Sequence, residues 1–208
     1  MIGLIRDNNL YVRIPKNGIS TFYKLLLENG YKEINIFNED IDLCNMNIWG
    51  HITEPTKRHT KGVAEFLTQN PDIDYHNPMI GKMLVTGVFD VHTYSIHMML
   101  GYLIKHPITW IPLDVKIEKF NPYPIPSEIL DGDRLTNLYF ESQNLEFRVS
   151  KKDHQNIADE NDLKLREIVE DYKIKYHVEY IQLVKNFLEA DLLLYHQTLI
   201  QYYKRYQS

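Results

Sequence analysis

The chain has 208 residues, 44% of them hydrophobic, which suits one compact domain with a sizeable core. Its formal net charge of -5 argues against a broad basic surface of the kind that holds nucleic acid through its phosphates. The single cysteine, Cys44, excludes an intramolecular disulfide framework and a thiolate zinc site, and fits a reducing compartment.

The N-terminal segment meets charge at Arg6 and Asp7 and so lacks the apolar stretch of a secretory signal. No later run approaches the length of a membrane span, and a soluble, cytoplasmic protein is the expectation. Residues 3–5 and 10–14 are short apolar runs separated by Arg6-Asp7-Asn8-Asn9, the chemistry of a β-hairpin. Residues 19–28 place Phe22, Leu25 and Leu26 at helical spacing and stop at Asn29-Gly30, a C-cap signal. Residues 32–37 alternate polar with apolar side chains and residues 46–52 are β-prone, so both predict strands. Pro55 suits the first turn of a helix running to about Leu67.

Beyond Pro71 the signals are mixed: residues 93–104 predict a helix, residues 108–113 a buried strand, and Pro122, Pro124 and Pro126 an extended connection. Residues 160–206 contain neither Gly nor Pro and predict two or three packed helices. Their apolar stripe is Leu163, Ile168, Tyr172, Tyr176, Tyr180, Leu183 and Phe187, with the tyrosines used for packing. The expected fold class is α/β: a core over residues 1–159 with a central, mainly parallel sheet flanked by helices, and C-terminal helices, 160–208, packed on it.

The chemistry concentrates at residues 15–21 (PKNGIST), between a predicted strand and a predicted helix. Pro15 stiffens the strand exit, Gly18 lets backbone approach a ligand, and Ser20 and Thr21 open the helix. Such a turn aims backbone N–H groups at one spot where the helix dipole favours an anion, and Lys16 adds a positive charge. An ordinary Asn17-Gly18 turn with Ser20 as a cap is the competing reading. The nucleotide-triphosphatase pattern, four residues between glycines followed by Gly-Lys-Ser/Thr, is absent, which disfavours a conventional ATPase or GTPase.

Pro15, Lys16, Asn17, Gly18, Ile19 and Ser20 resemble the 5′-phosphosulfate loop of the sulfotransferase family, Pro-Lys-Ser/Thr-Gly-Thr/Gly-Thr. Residues 51–66 resemble its 3′-phosphate motif, with Glu54, Pro55 and Arg58 in register, Thr53 in place of the first Arg and Lys61 in place of the Ser. Residues 89–100 are similar to the Asp-x-His-Thr/Trp-x-x-Gln stretch of the carbohydrate-type members: Asp90, His92 and Thr93 match, and His97 stands close to the Gln position. Residues 186–197 resemble the closing helix of that group, where an acidic-Asp-x-x-x-Tyr pattern is common.

The resemblance implies a single three-layer, P-loop-like domain that transfers a sulfuryl group from 3′-phosphoadenosine 5′-phosphosulfate to a hydroxyl acceptor, with carbohydrate favoured, adenosine 3′,5′-bisphosphate as product and no metal. Lys16 would stabilise the departing bridging oxygen, with the amides of residues 17–21 and the Ser20 hydroxyl on the 5′-phosphate. Arg58, with Lys61 as a substitute contact, would hold the 3′-phosphate. The general base would be His92, His51 or Glu33, in that order. Each has a structural competitor: a helix-start contact through Asp90, a strand residue and an edge charge. Two alternatives stay open: a kinase-like enzyme using Asp90 for magnesium, and a non-catalytic relative that binds only a nucleotide or phosphate. Tyr75, His76, Trp110 and Tyr123 are weak candidates for lining an acceptor cleft.

Overall fold

A computed structural model describes residues 2–37, 41–115, 131–150, 153 and 160–206 of the chain. The predicted proline connection at Pro122, Pro124 and Pro126, and Tyr123 with it, lies outside the described residues. In chain order the elements are β1 (Ile2–Arg6), β2 (Asn9–Val12), α1 (Ile19–Glu28), β3 (Lys32–Asn35), β4 (Asn47–Ile52) and α2 (Pro55–Gln69). There follow α3 (Pro78–Thr86), α4 (Ile96–Leu100), β5 (Ile108–Pro112), α5 (Asp131–Ser142), α6 (Glu160–Lys175), α7 (His177–Leu183) and α8 (Glu189–Tyr206). The class is α/β. Two compact units are distinguished: a first of Met1–Thr53, Leu100–Asn156 and Tyr195–Ser208, and a second of Glu54–Met99 and Ile157–Leu194.

The first unit carries the sheet, in the order β3-β1-β2-β4-β5. The predicted hairpin forms across Asp7 and Asn8, with Asp7 in the left-handed region at φ 51, a conformation aspartate tolerates in tight turns. This turn makes β1 antiparallel to β2, and β3 adds antiparallel to β1. Parallel pairing is confined to β2 with β4 and β4 with β5, so the sheet is mixed rather than mainly parallel.

Leu4, Tyr11 and Trp49 lie side by side in register across β1, β2 and β4. All three are fully buried, against Phe22, Leu25 and Leu26 of α1 and Leu135, Tyr139 and Phe140 of α5. Because side chains two apart in a strand share a face, His51 points to the same side as Trp49, into the helix-covered layer. The carboxyl ends of the parallel strands, at Val12, Ile52 and Pro112, fall on one edge, where ligands of open α/β sheets bind.

The second unit is helical, with Val63, Ala64 and Leu67 of α2 packed on Leu84 and Val85 of α3 and Leu165 and Val169 of α6. The buried ridge differs from the predicted stripe: Leu163 and Phe187 are 49% and 39% exposed, while Leu165, Val169, Lys173, Leu183 and Leu188 face inward. At Val184–Leu188 the chain widens into a π-turn, which shifts the phase by one residue and turns Leu188 inward instead of Phe187. Two of the tyrosines serve packing, and their hydroxyls also bind backbone: Tyr172 donates to the Tyr75 carbonyl (2.7 Å) and Tyr176 to that of Pro78 (3.0 Å).

The helix predicted over residues 93–104 is shorter. Asp90 closes a turn by accepting the N–H groups of His92 and Thr93, α4 then runs only from Ile96 to Leu100, and a 3-10 segment, Gly101–Lys105, follows with Gly101 at φ 52. Helix α5 has no counterpart in the sequence reading.

Candidate functional site

The loop at residues 15–18 leaves β2 and enters α1. The Asn17 N–H donates to the Ile14 carbonyl (3.2 Å), closing a turn in which Lys16 stands at φ 65 and Gly18 at φ 74. A left-handed lysine costs about 1–2 kcal/mol relative to an ordinary conformation, so the surrounding contacts must hold it there.

The buried side chain of Asn17 supplies such contacts. Its Nδ2 donates to the His51 carbonyl (2.9 Å) and its Oδ1 accepts the Thr53 N–H (3.1 Å), pinning the loop to the end of β4. A Cβ on Gly18 would stand 2.9 Å from Leu113 Cδ1 and 3.0 Å from Phe22 Cε2, so space and backbone angle both require glycine.

Gly18 is the N-cap of α1 and offers no side-chain cap, and the first intrahelical bond is that from the Phe22 N–H to the Gly18 carbonyl (3.3 Å). The N–H groups of residues 19–21 therefore precede the helical ladder, at the positive end of the helix dipole. Lys16 is half-buried, Ser20 exposed and Thr21 buried. This arrangement can receive an oxyanion at the sheet edge. Pro15 lies at its entrance, half-buried.

His51 borders the loop through its carbonyl, but its ring is sealed in the core. The ring stacks on Phe22 at 3.8 Å, with Nδ1 3.2 Å from the Tyr11 hydroxyl and Nε2 3.0 Å from Thr136 Oγ1. Thr136 spends its proton on the Gly132 carbonyl (3.0 Å), so Nε2 is the protonated nitrogen and Nδ1 accepts from Tyr11. Burial lowers the His51 pKa to about 3. A neutral, enclosed imidazole with both nitrogens engaged holds strand to helix and has no access to an acceptor. Glu33, by contrast, is exposed on β3, where Tyr23 donates to it (2.6 Å) and Arg13 stands 3.5 Å away. The Arg13 guanidinium lies 4.3 Å over the Tyr23 ring.

The remaining predicted residues belong to the second unit. Glu54 caps α2, accepting the Lys57 N–H (2.8 Å), so the Glu54-Pro55 pair acts as helix-start chemistry. Arg58 is fully buried, donates to the Tyr94 carbonyl and faces Asp191 at 3.9 Å. Burial lowers its pKa to about 10 and Asp191 opposes that shift. Lys61 is half-buried on the same helix. His92 Nδ1 lies 3.1 Å from Asp90 Oδ2, and its carbonyl is the reason for Gly62, where a Cβ would come within 2.1 Å of it.

Asp90, the residue a magnesium-dependent kinase would need, is engaged by this turn. Of the weak acceptor candidates, Trp110 is buried in the first unit, and Tyr75 packs against the core of the second. Among the described residues no cluster of three or more His, Cys, Asp or Glu side chains is placed to hold a metal ion, and no helix is long and apolar enough to cross a membrane.

Three features escaped the sequence reading. Lys173 is buried in α6, where burial lowers its pKa and Glu170 opposes the shift; it donates to the Thr56 carbonyl (3.0 Å), to Thr60 Oγ1 and to Glu170 (3.1 Å). Its spacing of four from Val169 was the signal that it faced inward. Asp191, buried in α8, accepts N–H groups at the start of α4 and faces Arg58 of α2, and an acid set directly before the run Leu192-Leu193-Leu194 was the signal there. The third is the Arg13–Tyr23–Glu33 cluster, whose members are scattered in sequence. No protein-family model matches this sequence, and neither a characterised protein nor a solved structure matches it significantly.

Proposed function

We propose that the chain is a sulfotransferase-like protein of P-loop-like, three-layer design that binds 3′-phosphoadenosine 5′-phosphosulfate and transfers its sulfuryl group to a hydroxyl acceptor, with carbohydrate the favoured class. The observation that carries this reading is the loop from Lys16 to Gly18, held by Asn17 at the carboxyl edge of parallel strands and leading into an α1 start without a side-chain cap. Sulfuryl transfer, like phosphoryl transfer, asks a protein mainly for positioning and for charge stabilisation on the leaving phosphate. In this reading the amides of residues 17–21 and the Ser20 hydroxyl hold the 5′-phosphate. Lys16 stabilises the bridging oxygen as it departs.

Isothermal titration with adenosine 3′,5′-bisphosphate tests the reading: micromolar binding that weakens at least tenfold in Lys16→Ala supports it, and no binding by the intact protein overturns it. A second reading, a phosphate-binding module without transfer activity, is favoured by one observation. Arg58, the residue that would recognise the 3′-phosphate, is fully buried against Asp191 and Tyr94. Equal affinity for inorganic phosphate and for the bisphosphate would support that second reading.

A further inference from the structure

The second unit leaves an apolar stripe exposed along the outer face of α6 and α7. Ile174, Val178 and Ile181 are 75%, 68% and 44% exposed, while Leu165, Val169, Lys173 and Leu183 form the buried ridge opposite them. Spacings of three and four residues continue the outer line to Asp171 and Glu167 at one end and to Lys185 at the other, all three exposed. The line keeps its phase across the junction of the two helices. There the Tyr176 N–H donates to the Tyr172 carbonyl and the Tyr180 N–H to the Tyr176 carbonyl, both at 2.9 Å, and Tyr176 and Tyr180 stay half-buried.

The two ends of the stripe carry opposite charge, and among the described residues none of Glu167, Asp171 and Lys185 enters an ion pair. Charges beside the stripe are engaged instead: Glu179 meets Lys82 of α3 at 2.6 Å, and Lys175 lies 5.5 Å over the Tyr176 ring. Asp171 precedes Val178 by seven positions and Lys185 follows it by seven. A two-fold axis at Val178 therefore sets the acidic end of one copy against Lys185 of another, twice, with Ile174, Val178 and Ile181 of both copies between the ends. Two copies side by side in parallel would oppose like charges, and the acids at one end oppose an anionic lipid surface.

We propose that the chain pairs with a second copy of itself through this face, as an antiparallel two-fold dimer. The apolar stripe forms its centre, and Glu167 and Asp171 meet Lys185 of the other copy at both ends. Exposed apolar side chains in a contiguous line, rimmed by charge, are the usual composition of such a contact. Three apolar residues from each copy make a small centre, so the dimer belongs to the weak class, with a dissociation constant of about 10–100 μM. The end charges set the direction of pairing, because reversing one copy would bring acid against acid.

Sedimentation equilibrium of the full chain tests the proposal. The intact protein is expected to dimerise in that range, and Val178→Asp to remove association at an unchanged melting temperature, since the residue is exposed. Lys185→Glu alone, and Glu167→Lys with Asp171→Lys in one chain, are each expected to weaken the dimer about tenfold. An equimolar mixture of those two proteins is expected to associate as the intact chain does, because opposite charges meet again at both ends. An intact chain that stays monomeric up to about 1 mM overturns the proposal. So does a dimer unchanged by Val178→Asp, or a mixture that associates no better than its components. Co-sedimentation of the intact chain with phosphatidylcholine and phosphatidylserine vesicles, lost in Val178→Asp, would give the face to lipid and overturn the proposal as well.

Discussion

Arg58 of α2 and Asp191 of α8 face each other at 3.9 Å, each with a side chain wholly removed from solvent. Removing one member of a buried ion pair leaves an uncompensated charge, at a cost of about 3–5 kcal/mol. Asp191→Ala is therefore expected to destabilise the protein by about that amount in urea unfolding. Replacing both residues by leucine is expected to cost clearly less than the two single changes summed. Additive single costs under about 1 kcal/mol would show that the pair is not coupled. Arg58→Ala is accordingly a poor probe of donor binding, since lost affinity would be mixed with lost fold.

Asn17 bridges loop and sheet with both ends of its amide. In Asn17→Ala the His51 carbonyl and the Thr53 N–H each lose a partner, and about 2–3 kcal/mol of stability goes with them. Asn17→Asp keeps an acceptor for the Thr53 N–H but sets a carboxylate against the His51 carbonyl, and is expected to be no better. Chemical denaturation measures both, and a loss below about 0.5 kcal/mol in each would contradict the strap.

Lys16 stands at a backbone angle that glycine adopts without strain. Lys16→Gly is expected to leave the melting temperature unchanged or raise stability by up to about 1 kcal/mol, while removing the charge from the loop. A variant that melts well below the parent would mean that the lysine side chain, not its charge toward a ligand, holds the loop in place.

His51 and His59 are both buried, and burial lowers each pKa from 6.5 to about 3. For His59, Lys173 and Arg58 push the same way, and a hydrogen bond to the Gly87 carbonyl opposes them. The unfolded chain binds these protons near pH 6.5 and the folded chain does not, so their stabilising contribution is complete above that pH and is lost as pH falls toward 3. By pH 5 each histidine accounts for about 2 kcal/mol of lost stability. The melting temperature should therefore fall between pH 6.5 and 5, and less steeply in His51→Gln. A flat profile over that window would contradict the buried, neutral assignment.

Local elements were legible in the sequence where backbone chemistry and periodicity agreed. The helix Ile19–Glu28 ends at the predicted Asn29-Gly30 stop, and the strand at residues 46–52 appears as Asn47–Ile52. Sheet order was not legible, because nothing local tells β3 to join β1 in the antiparallel sense. The phase of the C-terminal stripe differs from its sequence pattern: Leu163 faces outward while Leu165 and Val169 form the buried ridge, and a single π-turn further on exchanges Phe187 for Leu188. In the candidate site, the loop and its glycine could be read directly from residues 15–21. The burial of His51 was readable in principle from its alternation with Trp49. The engagement of Arg58 was not, since its partner lies 133 positions away in the chain.

The most direct measurement is isothermal titration of adenosine 3′,5′-bisphosphate into the intact protein and into Lys16→Gly, a substitution chosen because it spares the fold. Micromolar binding by the intact chain, weakened at least tenfold in Lys16→Gly at equal melting temperature, is the predicted result. Absence of binding by the intact chain, or identical affinity in the two proteins, would contradict a nucleotide phosphate held at this loop.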